Sequence, residues 1–98
     1  MSTVTAITRP AFELGQIVAT PGALDALEDA NQSPIEMVSR HAHLEQGELS
    51  DADHKENLFS VDKQLRIFSA FKTTLGVKLW VITEADRSAT TILLPSEY

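Results

Sequence analysis

The segment RHAHLEQGELSDADHKEN, residues 40 to 57, concentrates three histidines and five carboxylates, side chains that bind metal ions or transfer protons. In a helix, His41 and His43 would lie about 200° apart around the axis, so they cannot both face one ion. His41 and Glu45 are four residues apart and could share a face. Neither an HExxH pattern nor a calcium-binding loop is present, and the sequence predicts no metal site and no cofactor.

The histidines also allow an enzymatic alternative, a small endoribonuclease of the toxin type. Such chemistry needs an acid and a base near the ribose and a cation beside the phosphate. His41 or His54 could transfer the protons, with Glu84 as an additional carboxylate. Arg66 or Arg87 would hold the phosphate. A net charge of −6 opposes phosphate binding and no nucleophile or phosphate-loop motif is present, so we expect no catalysis and keep this enzyme as the alternative.

A second group of charged side chains lies in EADRS, residues 84 to 88, between two predicted strands. Glu84, Asp86 and Arg87 occupy this short joint, where turns expose side chains on a rigid scaffold. We expect Arg87, beside Glu84 and Tyr98, to contact a partner, because Arg and Tyr are favoured in interface hot spots. The alternative is a charged turn that only keeps the hairpin in water.

The composition indicates one folded domain. Ninety-eight residues are close to the commonest domain size, and 43% of them are apolar, which is enough for one core. The chain has no cysteine, which excludes disulfides, thiolate zinc sites and cysteine nucleophiles and fits a cytoplasmic protein. Its apolar runs are far shorter than the roughly 20 residues that span a bilayer, and its first residues lack a secretory pattern, so we expect no membrane insertion.

The negative charge is concentrated in the middle of the chain. Residues 25 to 62 carry ten acids and two bases, a net charge of −8, whereas residues 63 to 98 are mildly basic. A general nucleic-acid binder would show a concentrated basic face, so direct nucleic-acid binding is not expected. The acidic segment is either a solvated helical surface or, more narrowly, a mimic of phosphate charge that a DNA-binding protein would recognise.

Three short helices are predicted between Pro21 and about Gln64. Thr20, Ser33 and Ser50 are expected to cap them, because their hydroxyls can accept hydrogen bonds from free backbone N–H groups. The apolar stripe of the third helix is expected to continue through Leu58, Val61 and Leu65.

The hydrophobic period changes from 3.6 to 2 after Leu65, which predicts strands. Three strands are expected to form an antiparallel meander, to which a fourth, N-terminal strand can be added; their segments are 66 to 73, 77 to 83, 89 to 95 and, for the added strand, 14 to 20. VKLWVIT is apolar on both faces, as in a central strand, so Trp80 is expected to be largely buried.

These elements predict an α+β fold with two or three short helices followed by a three-stranded antiparallel β-meander. The helices are expected to cover one face of the sheet. We assign residues 14 to 98 to a single domain and residues 1 to 13 to a flexible N-terminal tail, because the latter show no periodicity.

Three stretches carry a resemblance to a known family: GQIVATPGALDAL, the Ser-Pro start of the second helix, and WVITEADRSATTILLPSEY. Over residues 14 to 98 the chain resembles a family of small uncharacterised bacterial proteins often encoded on plasmids and integrated mobile elements. The resemblance implies an accessory protein that binds a host or plasmid protein, such as a partner in host defence or plasmid maintenance. We therefore expect a non-catalytic interaction protein of unspecified oligomeric state.

Overall fold

The computed structural model describes residues 10 to 98, which form three α-helices, a four-stranded sheet and a C-terminal 3₁₀ turn. The predicted α+β class and the three helices are confirmed. The helices are α1 (Pro21–Asp29), α2 (Pro34–Ala42) and α3 (Asp51–Lys63). The strands are β1 (Gln16–Ala19), β2 (Ile67–Lys72), β3 (Lys78–Thr83) and β4 (Ala89–Leu93), and the turn is Pro95–Glu97.

Each helix begins at its predicted capping residue. The hydroxyls of Thr20, Ser33 and Ser50 each accept a hydrogen bond from the backbone N–H three residues later. Helix α3 ends at Gln64, which takes the left-handed conformation with φ of 57°. Within the described residues, no helix has both the length and the apolar character needed to cross a bilayer.

The sheet is mixed, with the strand order β1-β4-β3-β2. Strands β2, β3 and β4 form the predicted antiparallel meander, but β1 joins it in parallel beside β4, with Ile17 opposite Thr90. The predicted three-stranded meander is therefore extended to a four-stranded mixed sheet by the N-terminal strand that the sequence allowed. A parallel pair needs a long connection, and here all three helices and two strands lie between β1 and β4. No local sequence pattern can therefore predict this pairing.

Helices α1 and α2 pack on one face of the sheet and enclose the hydrophobic core there. The core residues come from both helices and from three strands: Ala23, Leu27, Met37, Val38, Phe71, Leu79, Val81 and Ile92. The other face, which α1 and α2 leave uncovered, is called the open face below. Phe68 and Trp80 lie on the open face, because side chains alternate along a strand and their neighbours Leu79 and Val81 point into the core.

Helix α3 runs along the outer edge of β2. The Asn57 side-chain amide donates to the Phe68 carbonyl oxygen and accepts from the Phe68 N–H, which takes the place of a neighbouring strand. The predicted apolar stripe was wrong for Leu58 and Leu65, which are 50% and 45% exposed. A strand edge needs hydrogen-bonding partners, so this helix presents polar side chains to the sheet.

The packed domain includes residues that precede the predicted boundary at Leu14. Phe12 is buried and its ring meets the His41 ring edge to face, with centroids 5.2 Å apart. The Ala11 N–H donates to the Ala42 carbonyl oxygen at 2.8 Å. An aromatic side chain thus closes the core within the predicted tail, whose residues 1 to 9 lie outside the described part of the chain.

Candidate binding site

A cleft of about 330 Å³ lies on the open face and is lined by Arg66, Phe68, Trp80 and Tyr98. We call these four residues the aromatic cleft. Trp80 is mostly buried, as predicted, but it lies outside the core that α1 and α2 cover. Its side chain is on the open face, because α1 and α2 pack on the opposite face of the sheet.

The three rings of the aromatic cleft contact one another edge to face. The Phe68 and Trp80 centroids are 5.0 Å apart with an interplanar angle of 67°, and the Trp80 and Tyr98 centroids are 5.7 Å apart at 74°. Such geometry is favourable because the positive edge of one ring meets the negative face of the next. In the register, Phe68 pairs with Ile82 and Ala70 with Trp80, so the first two rings are diagonal neighbours on adjacent strands.

Tyr98 reaches the sheet because Glu97 anchors the C-terminal turn. The Glu97 carboxylate accepts hydrogen bonds from the Thr20 hydroxyl, the Leu94 N–H at 2.9 Å and the Gly22 N–H at 3.1 Å. The hydrogen bond from Thr20, followed by that from Leu94, holds the pKa of Glu97 below its usual range. The carboxylate also lies at the N-terminus of α1, where the helix dipole favours a negative charge.

Arg66 closes one end of the aromatic cleft. Its Nη2 donates to the Tyr98 hydroxyl, and its guanidinium lies 5.3 Å from the Tyr98 ring centroid. The hydrogen bond to Tyr98 raises the pKa of Arg66, and attraction to Tyr98 and to the Glu84 carboxylate adds to the rise. The structure therefore brings Glu84 and Tyr98, two of the predicted binding residues, to the same cation.

A second, polar groove of about 220 Å³ continues from the aromatic cleft toward α3. The two cavities share Arg66 and Phe68. On the far side the groove is bounded by α3, from which Asp53 and Glu56 contribute carboxylates. We call these two residues the acidic wall. Together the cavities form a continuous surface with aromatic rings on one side and carboxylates on the other.

Arg87, the predicted contact residue, is only 8% exposed. Its Nη1 donates to the carbonyl oxygens of Leu65 at 2.7 Å and of Glu84 and Ala85, both at 3.2 Å. Its Nη2 donates to the Ser60 carbonyl oxygen at 3.2 Å, at the C-terminal end of α3. A guanidinium satisfies several carbonyls at once, and the helix dipole favours a cation there, so the side chain folds inward and ties the β3–β4 turn to α3.

The other predicted binding residues lie at the surface. Glu84 and Asp86 are exposed, and Tyr98 is 68% exposed. The Asp86 carboxylate accepts a hydrogen bond from the Ser88 N–H at 2.9 Å. Hydrogen bonds from the Ser88 hydroxyl and backbone lower the pKa of Asp86, so this carboxylate braces the turn. Of the predicted group, only Tyr98 lines the aromatic cleft.

His41 lies at the centre of a buried polar network. Its Nδ1 is 2.7 Å from the Ser69 hydroxyl and its Nε2 is 2.8 Å from the Thr83 hydroxyl. The Thr83 hydroxyl lies 2.6 Å from that of Thr90, which donates to the Leu14 carbonyl oxygen at 2.7 Å. Because Thr90 uses its proton on a carbonyl, Thr83 must donate to Thr90 and accept from Nε2–H, which leaves Nδ1 to accept from Ser69.

The five residues of the enzymatic alternative do not share one cleft. Burial lowers the pKa of His41 from 6.5 to about 3, so this ring is neutral and enclosed. Arg87 is also buried, and the His54 Nε2 lies 2.8 Å from a backbone carbonyl oxygen. Of the five, only Arg66 lines the aromatic cleft. Among residues 10 to 98 no three histidine or carboxylate side chains converge as metal ligands would.

Sequence analysis missed Phe68 and Trp80 as site residues. The sequence predicts Trp80 as a buried strand residue and does not single out Phe68. The available signal was the alternation of charged residues along the strands. Arg66 and Lys72 fall on the same face as Phe68, and Lys78 falls on the same face as Trp80. Charged side chains on the same side as these rings indicate a solvent-facing surface.

Comparison of the chain with protein-family models, with curated proteins and with solved structures gives no match. The resemblance to the plasmid-associated family therefore stays a prediction.

Proposed function

We propose that the protein is a non-catalytic binding protein that holds a protein partner on its open face through the aromatic cleft. The observation that carries this proposal is the meeting of three aromatic rings and one arginine on the side of the sheet that α1 and α2 leave uncovered. Aromatic residues contribute strongly to the energy of protein interfaces, since they bury large areas and Tyr and Trp still offer polar groups.

The chemistry of the cleft favours binding over catalysis. The aromatic cleft contains a guanidinium and a phenol but no histidine, and the neutral ring of His41 is enclosed on the opposite side of the sheet. The endoribonuclease alternative needs an acid and a base beside the same ribose. His41 and Arg87 are both buried, so neither side chain can reach a substrate.

The charge distribution supports a protein partner over a nucleic acid. All ten carboxylates between residues 25 and 62 are exposed, and the net charge of the chain is −6. Such a surface repels polyanions and attracts basic proteins over a distance of about one Debye length. The family resemblance would make this partner a host or plasmid protein of the cytoplasm.

Retention of the partner by two matched variants tests the proposal. Tyr98→Ala removes an exposed ring from the aromatic cleft, and Leu75→Ala removes an exposed apolar side chain, 64% exposed, from the β2–β3 turn. A partner isolated on the immobilised protein should be retained about tenfold less by Tyr98→Ala, because the lost ring belongs to the contact surface. Leu75→Ala should retain it fully. Equal retention of the partner by both variants would show that the partner does not bind to the open face.

A further inference from the structure

We infer, on the basis of the proposed function, that the partner segment is basic and places an arginine side chain in the aromatic cleft, against Trp80 and beside the acidic wall. The inference names the chemistry of the partner that the open face accepts. It follows from the charges along the continuous surface, from a contact that the protein already makes within itself, and from the net charge of the chain.

The continuous surface carries an excess of negative charge. Asp53, Glu56 and Arg66 line the polar groove, and attraction to the Glu84 carboxylate contributes to the raised pKa of Arg66. Three carboxylates and one guanidinium therefore belong to this region of the surface. All three carboxylates are exposed and carry their charge into solvent, so a second cation entering the groove gains attraction while an anion meets repulsion.

Arg66 shows which group the aromatic rings accommodate. Its guanidinium already lies on the Tyr98 ring and donates to the Tyr98 hydroxyl. In the described part of the chain, the three cation–ring contacts involve Phe12, Phe71 and Tyr98, and none involves Trp80. Since indole attracts cations most strongly among the aromatic side chains, Trp80 is the ring with capacity to receive a guanidinium from a partner.

The size and form of the surface fit an arginine better than a lysine. A guanidinium is planar and weakly hydrated, stacks on a ring and donates in several directions, so it can contact Trp80 and a carboxylate together. Lysine offers a compact, strongly hydrated charge and would keep more of its water. The joined cavities, about 330 and 220 Å³, leave room for neighbouring residues of an extended segment.

A peptide titration tests the inference, with Trp80 as the reporter because it is the only tryptophan of the chain. The probes are an arginine-rich peptide, the same peptide with lysine at every arginine, a glutamate-containing peptide, and a single-stranded oligonucleotide. We expect the arginine peptide to change the Trp80 fluorescence and to bind tighter than the lysine peptide. The glutamate peptide and the oligonucleotide should leave the fluorescence unchanged.

Three variants separate the groove from general charge attraction. Asp53→Asn with Glu56→Gln removes the acidic wall, and Asp25→Asn with Glu28→Gln removes two exposed charges from α1, on the other side of the sheet. The first pair should weaken arginine-peptide binding by about tenfold more than the second. Arg66→Gln should bind at least as tightly as the wild type, because it removes a competing guanidinium.

Opposite results overturn the inference. Loss of binding in Arg66→Gln together with oligonucleotide binding would identify an anion site, and equal weakening by the two double variants would leave only net-charge attraction. If the arginine peptide does not bind but Tyr98→Ala still weakens binding of the natural partner, the inferred chemistry is refuted. The proposed function is then unaffected. Retention of the natural partner by Tyr98→Ala would instead refute the proposed function.

Discussion

At the scale of single residues, Arg87 combines an unusual backbone with a fully engaged side chain. Its φ is 61°, in the left-handed region that non-glycine residues seldom adopt. Its guanidinium donates to four carbonyl oxygens. They belong to Ser60 in α3, to Leu65 just beyond the helix, and to Glu84 and Ala85 in the β3–β4 turn. These bonds offset the backbone strain and explain why arginine stands where a turn usually has glycine.

Replacing Arg87 should therefore destabilise the fold. Arg87→Ala keeps the strained backbone and removes a buried side chain with its four charge-assisted hydrogen bonds, so the free energy of unfolding should fall by about 2 kcal/mol. Arg87→Gly should be less damaging, since glycine removes the strain by roughly 1 kcal/mol. Urea unfolding measures both, with the exposed Lys78→Ala as control. An Arg87→Ala variant as stable as the control would show that the carbonyls do not need the guanidinium.

His41 makes stability depend on pH. The unfolded chain protonates this ring below pH 6.5, whereas the folded chain keeps it neutral down to about 3. The unfolded state binds more protons in that window, so stability should fall as pH is lowered, by up to about 1.4 kcal/mol per pH unit. Between pH 6.5 and 5 carboxylates contribute little, since they titrate lower.

The measurement is the urea midpoint of the wild type from pH 7.5 to 5, compared with His41→Gln and with the control Leu75→Ala, whose side chain is exposed and uncharged. The wild type and Leu75→Ala should share the slope. His41→Gln should be less stable at pH 7.5 and nearly flat across the range. A slope that persists in His41→Gln would assign the pH dependence to another group.

At the scale of elements, the β2 edge of the sheet is covered by contacts from α3 and from the segment before it. Helix α3 closes the edge of β2 with the Asn57 amide, and the Glu48 N–H donates to the Ala70 carbonyl oxygen at 2.8 Å on the same strand. An uncovered edge invites pairing with other chains, so these contacts keep β2 from acting as a template. These contacts therefore remove the β2 edge as a site for strand pairing with a partner.

Asn57→Ala should loosen this edge. The Phe68 N–H and carbonyl oxygen would lose both partners, and the free energy of unfolding should fall by about 1 to 3 kcal/mol. Amide hydrogen exchange at Phe68 should accelerate beyond the change at Val81 in β3, which pairs on both sides. Leu58→Ala, at an exposed position on the same helix, should change stability by about 0.5 kcal/mol or less. Unchanged exchange at Phe68 would show that the amide does not hold the edge.

The elements divide into those that local sequence determines and those that it does not. The caps Thr20, Ser33 and Ser50 were predictable because each hydroxyl and the backbone N–H that donates to it lie three residues apart. The parallel pairing of β1 was not, because its partner β4 is far along the chain. The face of Trp80 depended on where the helices dock, which a strand apolar on both sides does not specify.

The candidate site was predictable only in part for the same reason. Tyr98 and Glu84 are exposed and were recognised by their types, whereas Arg87 turned inward because of carbonyls supplied by α3. Burial of an arginine follows from a tertiary contact between elements distant in sequence. The pairing of Arg66 with Tyr98 is likewise non-local.

At the scale of the whole molecule, the two ends of the open face carry different charges. Arg66 and the carboxylates around it lie at one end of β2, and Lys72 and Lys78 face each other across the strands at the other end. Lys72 is also 3.6 Å from the Glu48 carboxylate. A partner segment with a basic and an acidic end would therefore bind in one direction, with its basic end beside the acidic wall.

Site-specific photo-cross-linking in the producing cell tests the central claim, that the open face holds a partner, most directly. A photoreactive phenylalanine analogue is placed at position 98, on the aromatic cleft, or at position 24, where Leu24 is 45% exposed on α1. The account predicts one protein cross-linked from position 98, lost when Asp53→Asn and Glu56→Gln are added, and none from position 24. Cross-linking from position 24 alone, or from both positions equally, would contradict it.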